Sequence, residues 1–179
     1  MIPIQEIPGV RVVELKSFPD SRGRFVETFR QSWFEGCPAM VQGNRSDSKK
    51  GVLRGLHFHR KQADYWMCVQ GRMLAAVADL RPGSPTHGKV ATVEFGDGAD
   101  LGIYIPPGVA HGYYALTDAT MTYMVDQYYD STDEFGVAWD DPALGIPWPV
   151  DTPPILSDRD QNNPGMDGLD PATLVQFSA

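Results

Sequence analysis

Short runs of residues with high β-propensity recur along this chain, and groups of Gly, Pro and Asp separate them at near-regular intervals. Residues 20–23 read Asp-Ser-Arg-Gly and residues 106–108 read Pro-Pro-Gly, and both groups are typical of turns. Many short strands at such intervals are typical of a β-sandwich or β-barrel, so the chain is predicted to be mostly β. The predicted strands are residues 10–15, 24–29, 52–59, 65–70, 73–79, 89–95, 101–105, 112–116 and 120–129.

The length and the composition of the chain are those of one domain. Its 179 residues, of which 42% are hydrophobic, are enough to bury a single substantial core. No internal repeat or linker is apparent, so one domain is predicted over residues 1–179, with a barrel core at about 45–130. Residues 140–179 are rich in Pro and Asp and are predicted to wrap the surface. Helical periodicity is weak, with one turn predicted at residues 31–35 and a short terminal helix at residues 171–177.

The net charge argues against a nucleic-acid partner, since the formal charge is -8 and the pI is near 4.8. A local arginine cluster could still bind one small anion. No apolar stretch reaches the roughly 20 residues that a membrane helix needs, and the N-terminus does not resemble a signal peptide. Cys37 and Cys68 have no metal-like spacing and are expected to be reduced thiols, which favours a cytoplasmic location.

Histidine is the most informative residue type, because the chain has only four. His57 and His59 lie two residues apart in a predicted strand, and the period of two places both side chains on one face. Leu53 and Gly55 are predicted to share that face. His111 follows a Pro-Gly turn. A lone histidine in a strand is most often structural, but two on one face with a third after such a turn favour a functional site.

Two motifs contain these histidines. Residues 57–59 read His-Phe-His and are followed after four residues by Asp64, and after six more by Gly71. Residues 106–111 read Pro-Pro-Gly-Val-Ala-His. The two motifs resemble those of the cupin superfamily, except that Asp64 stands where most metal-binding cupins carry Glu. This resemblance implies a mostly β, cupin-type antiparallel jelly-roll barrel with short terminal helices.

Several ordered runs carry a longer resemblance, from about residue 7 to residue 160. They are residues 20–27, 42–44, 51–58, 78–86, 105–112, 123–129, 139–149 and 155–160. In these runs the chain resembles the dTDP-4-dehydrorhamnose 3,5-epimerase family. The resemblance implies an isomerase of deoxysugar biosynthesis that removes protons from C3 and C5 of a dTDP-4-keto-6-deoxyhexose and returns them from the opposite face. It also implies that no cofactor is required and that the chain forms a homodimer with exchanged N-terminal strands.

The resemblance assigns catalytic roles to three residues. His57 is implied to be the base, Asp160 the carboxylate that orients and charges it, and Tyr123 the proton donor. Tyr129 is implied to stack on the thymine ring, and an unbroken strand would place it on the same face as Tyr123, six residues earlier. Arginine suits the diphosphate because its planar fork binds oxyanions with two hydrogen bonds. The positions implied to contact substrate are Arg22, Glu27, Gln42, Asn44, Arg54, His111, Tyr129 and Glu134.

The chain departs from this family at Asp64, where the family carries a lysine that helps to stabilise the enolate. A carboxylate beside a forming enolate is electrostatically unfavourable unless a positive charge lies between them. A divalent Zn, Fe, Ni or Mn ion would supply that charge, although a His57 bound to metal is not free to act as the base. Lys61, in the loop after His59, is the alternative source of charge. The residues that match the cupin metal ligands are His57, His59, Asp64 and His111.

The sequence therefore predicts a nucleotide-sugar epimerase that inverts C3, C5 or both, with the change at Asp64 a reason for the loss of one inversion. Two alternatives remain open at this point. One is a metal-dependent cupin enzyme that keeps the barrel but uses the four-residue site for other chemistry. The other is a non-catalytic cupin that binds a nucleotide sugar.

Overall fold

The computed structural model describes residues 1–150 and 152–178, and its strands form two five-stranded antiparallel sheets and one hairpin. In chain order they are β1 (Arg11–Glu14), β2 (Ser17–Asp20), β3 (Gly23–Val26), β4 (Gln42–Ser48), β5 (Leu53–Phe58), β6 (Asp64–Gln70), β7 (Arg72–Asp79), β8 (Val90–Gly96), β9 (Leu101–Ile105), β10 (Val109–Ala115), β11 (Ala119–Val125) and β12 (Phe135–Gly136). The first sheet has the order β1-β9-β6-β11-β4, the second has the order β12-β5-β10-β7-β8, and β2 pairs with β3. The prediction of a mostly β, antiparallel jelly-roll fold is confirmed.

The helical segments are short. They are an α-helical turn, α1 (Asp158–Gln161), and the 3-10 turns Ile4–Glu6, Gln31–Phe34, Ser131–Asp133, Met166–Gly168 and Pro171–Thr173. The terminal helix predicted at residues 171–177 is wrong beyond its first turn, because the backbone becomes extended at Leu174. Among the described residues, every helix is far shorter than the roughly 20 residues that a bilayer span requires.

The main core lies between the two sheets, and the alternation of side chains along the strands creates it. On β6, Trp66 and Cys68 belong to this central core, while Tyr65 and Met67 pack on the outside of the first sheet. Val77 on β7 faces the central core from the second sheet. Each sheet therefore also has an apolar outer face, which segments outside the sheets cover.

The covering segments differ for the two sheets. Phe34, in a 3-10 turn, packs on Tyr104 of the first sheet with ring centroids 5.2 Å apart. The C-terminal segment covers the second sheet, with Leu144 and Trp148 packed in the same cluster as Phe58. The C-terminal segment thus buries its apolar residues on the sheet and leaves the central space to the strands.

The regular alternation of β5 breaks at Gly55. Its φ of +119° lies in a backbone region that residues with a side chain rarely adopt. A Cβ at this position would lie 2.7 Å from the Cα of Gly112 on β10. The prediction that Leu53 shares a face with His57 is wrong, because Leu53 packs in the outer cluster of the second sheet. Owing to this irregularity, Arg54 and His57 both line the space between the sheets although they are three residues apart.

Candidate active site

A cavity of about 400 Å³ opens between the two sheets. Strands β5 and β10 form one wall, and β4, β6 and β11 form the opposite wall. Trp66, Tyr113 and Met121 belong both to the cavity lining and to the central core, so they form the boundary between the two. The predicted site residues that line the cavity are Gln42, Asn44, Arg54, His57, His59, Asp64, His111, Tyr123, Tyr129 and Glu134.

His57 on β5 pairs with Asp160 of α1, with 2.6 Å between Nε2 and Oδ1. Asp160 is buried and also accepts hydrogen bonds from the hydroxyl of Ser157 and the backbone N–H of Gly55. Burial raises the pKa of Asp160, but the hydrogen bond and charge of His57, together with the other two donors, outweigh it and lower the net pKa. The ionised carboxylate accepts the Nε2–H of His57, which leaves Nδ1 as the basic atom of the ring.

The start of α1 holds Asp160 in place. Ser157 is the N-cap residue, and its hydroxyl oxygen accepts the backbone N–H of Asp160 at 3.1 Å. The same hydroxyl donates to Oδ2 of Asp160 at 2.9 Å. One serine therefore fixes both the backbone and the carboxylate that orient His57.

Tyr123 lies on β11, in the sheet opposite His57. Its ring lines the cavity and packs in part against the central core. Burial raises the pKa of Tyr123 and the charge of Asp64 raises it further, so the phenol is protonated at neutral pH. The imidazole and the protonated phenol therefore face the cavity from opposite walls.

Amide side chains connect β4 to the segment after β11. Gln42 donates from Nε2 to Oδ1 of Asn44 at 2.9 Å, and its Oε1 accepts the backbone N–H of Tyr129 at 3.2 Å. Strand β11 ends at Val125, so the unbroken strand expected between Tyr123 and Tyr129 is not present. Tyr129 reaches the cavity from the following loop and leaves 67% of its surface exposed.

Two arginines supply positive charge to the cavity. Arg54 donates from Nε to Oγ of Ser48 at 3.1 Å and from Nη2 to a backbone carbonyl at 3.3 Å. Arg159 lines the cavity and forms an ion pair with Glu134 at 2.8 Å. Arg159 is not among the predicted site residues, although its position directly before Asp160 within a matching run is a usable signal.

His59, Asp64 and His111 are buried, and a potential ligand atom of each lies within 4.8 Å of those of the others; we call these residues the His-Asp-His cluster. The Nδ1–H of His59 donates to the carbonyl of Asp133 at 2.7 Å, and that of His111 donates to the carbonyl of Val109 at 2.9 Å. Each ring thus keeps Nε2 as its lone-pair atom. Burial lowers the pKa of His111 to about 4, although the Asp64 carboxylate opposes the shift.

Comparison with known proteins places this fold and cavity in a family. The profile of the family described as dTDP-4-dehydrorhamnose 3,5-epimerase matches residues 5–167. The chain belongs to this epimerase family. A dTDP-4-dehydrorhamnose 3,5-epimerase of Shigella flexneri is 40% identical over 165 residues, and the match covers 88% of this chain and 91% of that protein.

Two further epimerases show how far the similarity extends. A dTDP-4-dehydrorhamnose 3,5-epimerase of Neisseria gonorrhoeae is 41% identical over 160 residues, but the match covers 86% of this chain and 49% of that protein, so this chain spans about half its length. The structure of dTDP-6-deoxy-D-glucose-3,5-epimerase from Legionella pneumophila Philadelphia 1, in complex with dTDP-4-keto-L-rhamnose, superposes with a TM-score of 0.93 at 32% identity. That match covers 100% of this chain and 99% of the Legionella chain. The similarity to the epimerases therefore covers the whole fold.

Two substrate positions implied by the epimerase family lie outside the cavity of this single chain. Arg22 pairs with Asp20 at 2.6 Å, and its side chain is 87% exposed. Glu27, just after β3, pairs with Arg30. Neither residue lines the cavity, because the β2–β3 hairpin pairs only with itself in the described chain. The structure therefore does not bring Arg22 and Glu27 to the predicted site within one chain.

Asp64 stands where the resemblance to the epimerase family implies a lysine, and Lys61 does not take over that position. The Nζ of Lys61 lies 4.0 Å from Oδ2 of Asp130, and its side chain is 69% exposed. Lys61 is not part of the cavity lining. The alternative in which Lys61 supplies the missing charge is therefore wrong for this geometry.

The predicted four-residue metal site also differs from the structure. The His-Asp-His cluster contains three of the four residues, and His57 lies outside it. The reason is that Asp160 holds the Nε2 of His57 on the side of α1. The residues brought together are therefore two imidazoles and one carboxylate, and the histidine implied to be the base is separate from them.

Two residues that are not among the predicted site residues hold Asp64. Gln62 donates from Nε2 to Oδ1 of Asp64 at 2.8 Å, and Trp66 donates from Nε1 to Oδ2 at 3.1 Å. Asp64 and Trp66 lie two residues apart on β6, so strand periodicity is the signal that would have paired them, whereas Gln62 lies in the loop before the strand. Both donors are neutral, so they orient the carboxylate without compensating its charge.

Proposed function

We propose that this chain is an isomerase that inverts C3, C5 or both of a dTDP-4-keto-6-deoxyhexose by proton removal and return. The observation that carries this proposal is that His57, with its partner Asp160, and Tyr123 occupy opposite walls of one cavity. Inversion at a carbon requires a base on one face of the sugar ring and an acid on the other. The two walls supply these groups.

The proposed reaction begins at the C–H bonds next to the C4 ketone, which are acidic because their conjugate base is an enolate. Nδ1 of His57 takes the proton from C3 or C5, and the electron pair of that bond forms the enolate with its charge on the C4 oxygen. Asp160 stabilises the resulting imidazolium, because it accepts the Nε2–H at 2.6 Å. Tyr123 then donates its phenolic proton to the opposite face of the carbon and regains one from solvent, while His57 loses its proton to solvent.

We propose that the nucleotide part of the substrate binds along the arginine side of the cavity. The formal net charge of the protein is -8, but Arg54 and Arg159 both line the cavity. Their guanidinium groups supply the local positive charge that attracts a diphosphate. Tyr129 has an exposed ring that is suited to stacking on thymine. The remaining polar residues proposed to contact the nucleotide or the sugar are Gln42, Asn44, His111 and Glu134.

We also propose that the cavity is completed in a homodimer by the β2–β3 hairpin of a second chain. Phe18 and Phe25 on this hairpin are 46% and 69% exposed, and their ring centroids lie 6.1 Å apart. An exposed aromatic pair of this kind favours burial against another surface. Arg22 and Glu27, which lie outside their own cavity, would then reach the cavity of the second chain. Light scattering should give a dimer for the wild type and a shift toward monomer for Phe25→Ser, and a monomeric wild type would contradict the proposal.

The remaining parts of the proposal are a single cupin-type domain over residues 1–179 and a cytoplasmic location. Cys37 and Cys68 are both free thiols, as expected in a reducing compartment. The proposed reaction moves only protons, so the chemistry itself requires no redox cofactor.

Deuterium exchange into a dTDP-4-keto-6-deoxyhexose in D₂O, followed by NMR, tests the proposed function. The wild type is expected to exchange the hydrogen at C3, at C5 or at both. His57→Asn is expected to slow the exchange by about 10²–10⁴-fold, the usual contribution of a general base. His87 is exposed and does not line the cavity, so His87→Asn is the matched control and should exchange as the wild type does.

Calorimetric titration with the same sugar separates a catalytic from a purely binding protein. A wild type that binds the sugar but exchanges at neither carbon would be a nucleotide-sugar-binding module, and the epimerase proposal would be wrong. Exchange at one carbon only would identify a monoepimerase, which we would attribute to the change at Asp64.

A further inference from the structure

The His-Asp-His cluster places three electron-pair donors around one point of the cavity. Nε2 of His111 lies 3.8 Å from Oδ2 of Asp64, and potential ligand atoms of all three residues lie within 4.8 Å of one another. Because the Nδ1–H groups of His59 and His111 are both used by backbone carbonyls, the nitrogen that remains on each ring is an acceptor. Three acceptors at these distances are unfavourable unless a positive charge lies among them.

Among the described residues, neither lysine nor arginine supplies that charge. The hydrogen bonds to Asp64 come from the neutral side chains of Gln62 and Trp66. Lys61 is directed toward Asp130, and the contacts of Arg54 are made outside the cluster. A buried carboxylate with only neutral donors is unfavourable, so the cluster is suited to a cation taken from solution.

A second layer of contacts holds the three side chains in place. The ring of Trp66 stands at 90° to that of His111, with centroids 5.1 Å apart. Trp66 and Gln62 each bind one oxygen of Asp64, and backbone carbonyls bind both imidazoles. Histidines that bind metals usually donate their other ring N–H to a carbonyl or a carboxylate in this way. This second layer distinguishes the cluster from a chance grouping of polar residues.

We propose that the His-Asp-His cluster binds one divalent transition-metal ion and that His57 is not among its ligands. The inference rests on the proposed function, since the ion would share the cavity with the His57–Asp160 pair. Two imidazole nitrogens and one carboxylate suit Zn, Fe, Ni or Mn and leave coordination positions free. Metal–ligand bonds of about 2.0–2.2 Å imply ligand separations of about 3.0–3.6 Å, so the ligand atoms must close by roughly 1 Å on binding.

When bound, the ion would act as a Lewis acid beside Asp64, the position where the resemblance to the family implies a lysine. His57 stays free to act as the base, because its Nε2 is held by Asp160. Metal binding by the other three residues is therefore compatible with base catalysis by His57.

Elemental analysis of the full-length chain, purified without chelator and after removal of any affinity tag, tests the metal site. The wild type is expected to contain stoichiometric metal, and His59→Gln and Asp64→Asn are expected to lose it. Titration of chelator-treated protein with Zn²⁺ and with Mn²⁺ measures the same loss without reference to activity. Asp64→Glu keeps the carboxylate and should bind metal, and His87→Gln is the matched control outside the cavity. Thermal denaturation verifies that each variant is folded.

The His57→Asn variant separates this inference from the proposed function. It is expected to keep the metal and to lose deuterium exchange. Loss of the metal in this variant would overturn the three-ligand assignment. The metal site would also be overturned by a wild type that contains no metal and binds neither ion, or by an Asp64→Asn variant that binds them as tightly as the wild type does. Full exchange by a wild type that binds neither ion would reject the metal site and keep the epimerase, whereas stoichiometric metal without exchange would do the reverse.

Discussion

Replacement of Asp160 by alanine tests the role of His57 as the base, because Asp160 contacts His57 but does not line the cavity. The change removes the acceptor of the Nε2–H and leaves the substrate-facing side chains as they are. Proton removal should therefore slow while the affinity for the dTDP-sugar stays the same.

The size of the effect follows from the hydrogen bond of 2.6 Å between His57 and Asp160. A hydrogen bond to a charged group contributes about 1.5–3 kcal/mol, and this one strengthens as the imidazolium forms. At about 1.4 kcal/mol for each factor of ten, the exchange rate should fall by about 10- to 150-fold. Asp160→Asn should reduce it further, because the amide N–H donates to Nε2 and forces the proton onto the catalytic Nδ1.

The assay is deuterium exchange at saturating sugar, with calorimetric titration to verify that binding is unchanged. Asp158 is exposed on the same turn of α1, so Asp158→Asn is the matched control and should exchange at the rate of the wild type. An Asp160→Ala variant that is folded, binds sugar and exchanges within about twofold of the wild type would refute the role given to Asp160.

Three further predictions concern stability and binding. Gly55→Ala should lower the free energy of unfolding by at least about 1–3 kcal/mol, because a side chain there meets β10 and the φ is +119°. Gly43→Ala, at an open position, is the control in denaturant titrations. Equal stability of the two variants would contradict this prediction. Burial raises the pKa of Asp79, but hydrogen bonds from its arginine, serine and threonine neighbours lower the net pKa below its ordinary value. The ionised carboxylate therefore stabilises the folded state fully above about pH 4, and this contribution is lost as the pH falls through the lowered pKa. Asp79→Asn should therefore be less stable than the wild type by about 3–5 kcal/mol at pH 7. Its melting temperature should fall less steeply than that of the wild type as the pH is lowered, and an equal dependence of melting temperature on pH would contradict this. Arg54→Ala should weaken dTDP binding by about 10- to 100-fold in calorimetry, whereas the control Arg45→Ala, at an exposed position outside the cavity, should not. Equal dTDP affinities of the two variants would remove Arg54 from the diphosphate site.

The fold is largely predictable from alternating hydrophobicity and turn residues. The prediction of strands fails where a tertiary contact, rather than local propensity, creates the strand. Strand β9 has the predicted bounds, because Pro106 ends it. Strand β4 is not among the predicted strands, because it reads Gln-Gly-Asn-Arg-Ser-Asp-Ser and has no β-branched or aromatic residue. It is a strand because β11 pairs with it along its full length, and that pairing is a tertiary contact that local propensity does not contain.

The site is predictable where strand periodicity acts and less so where distant segments meet. His57 and His111 come directly opposite each other on β5 and β10, as their motifs suggest. The pairing of His57 with Asp160 spans 103 residues, and only the resemblance to the epimerase family indicated it. The same pairing decides that His57 stays out of the His-Asp-His cluster, which the motif spacing could not reveal. Arg22 belongs to the β2–β3 hairpin, which pairs with no other strand of the described residues, so strand periodicity gives no register that would carry it to the cavity.

The stereochemistry of deuterium labelling by Tyr123→Phe tests most directly the claim that base and acid act from opposite walls. His57 remains in this variant, and its side chain is 27% exposed, so it can exchange the proton it has taken with solvent and return a deuteron to the same face. We expect label at C3 or C5 with retained configuration, while the rate of inversion falls by about 10²-fold or more relative to the wild type. Inversion at the wild-type rate, or loss of labelling and inversion in equal proportion, would contradict it.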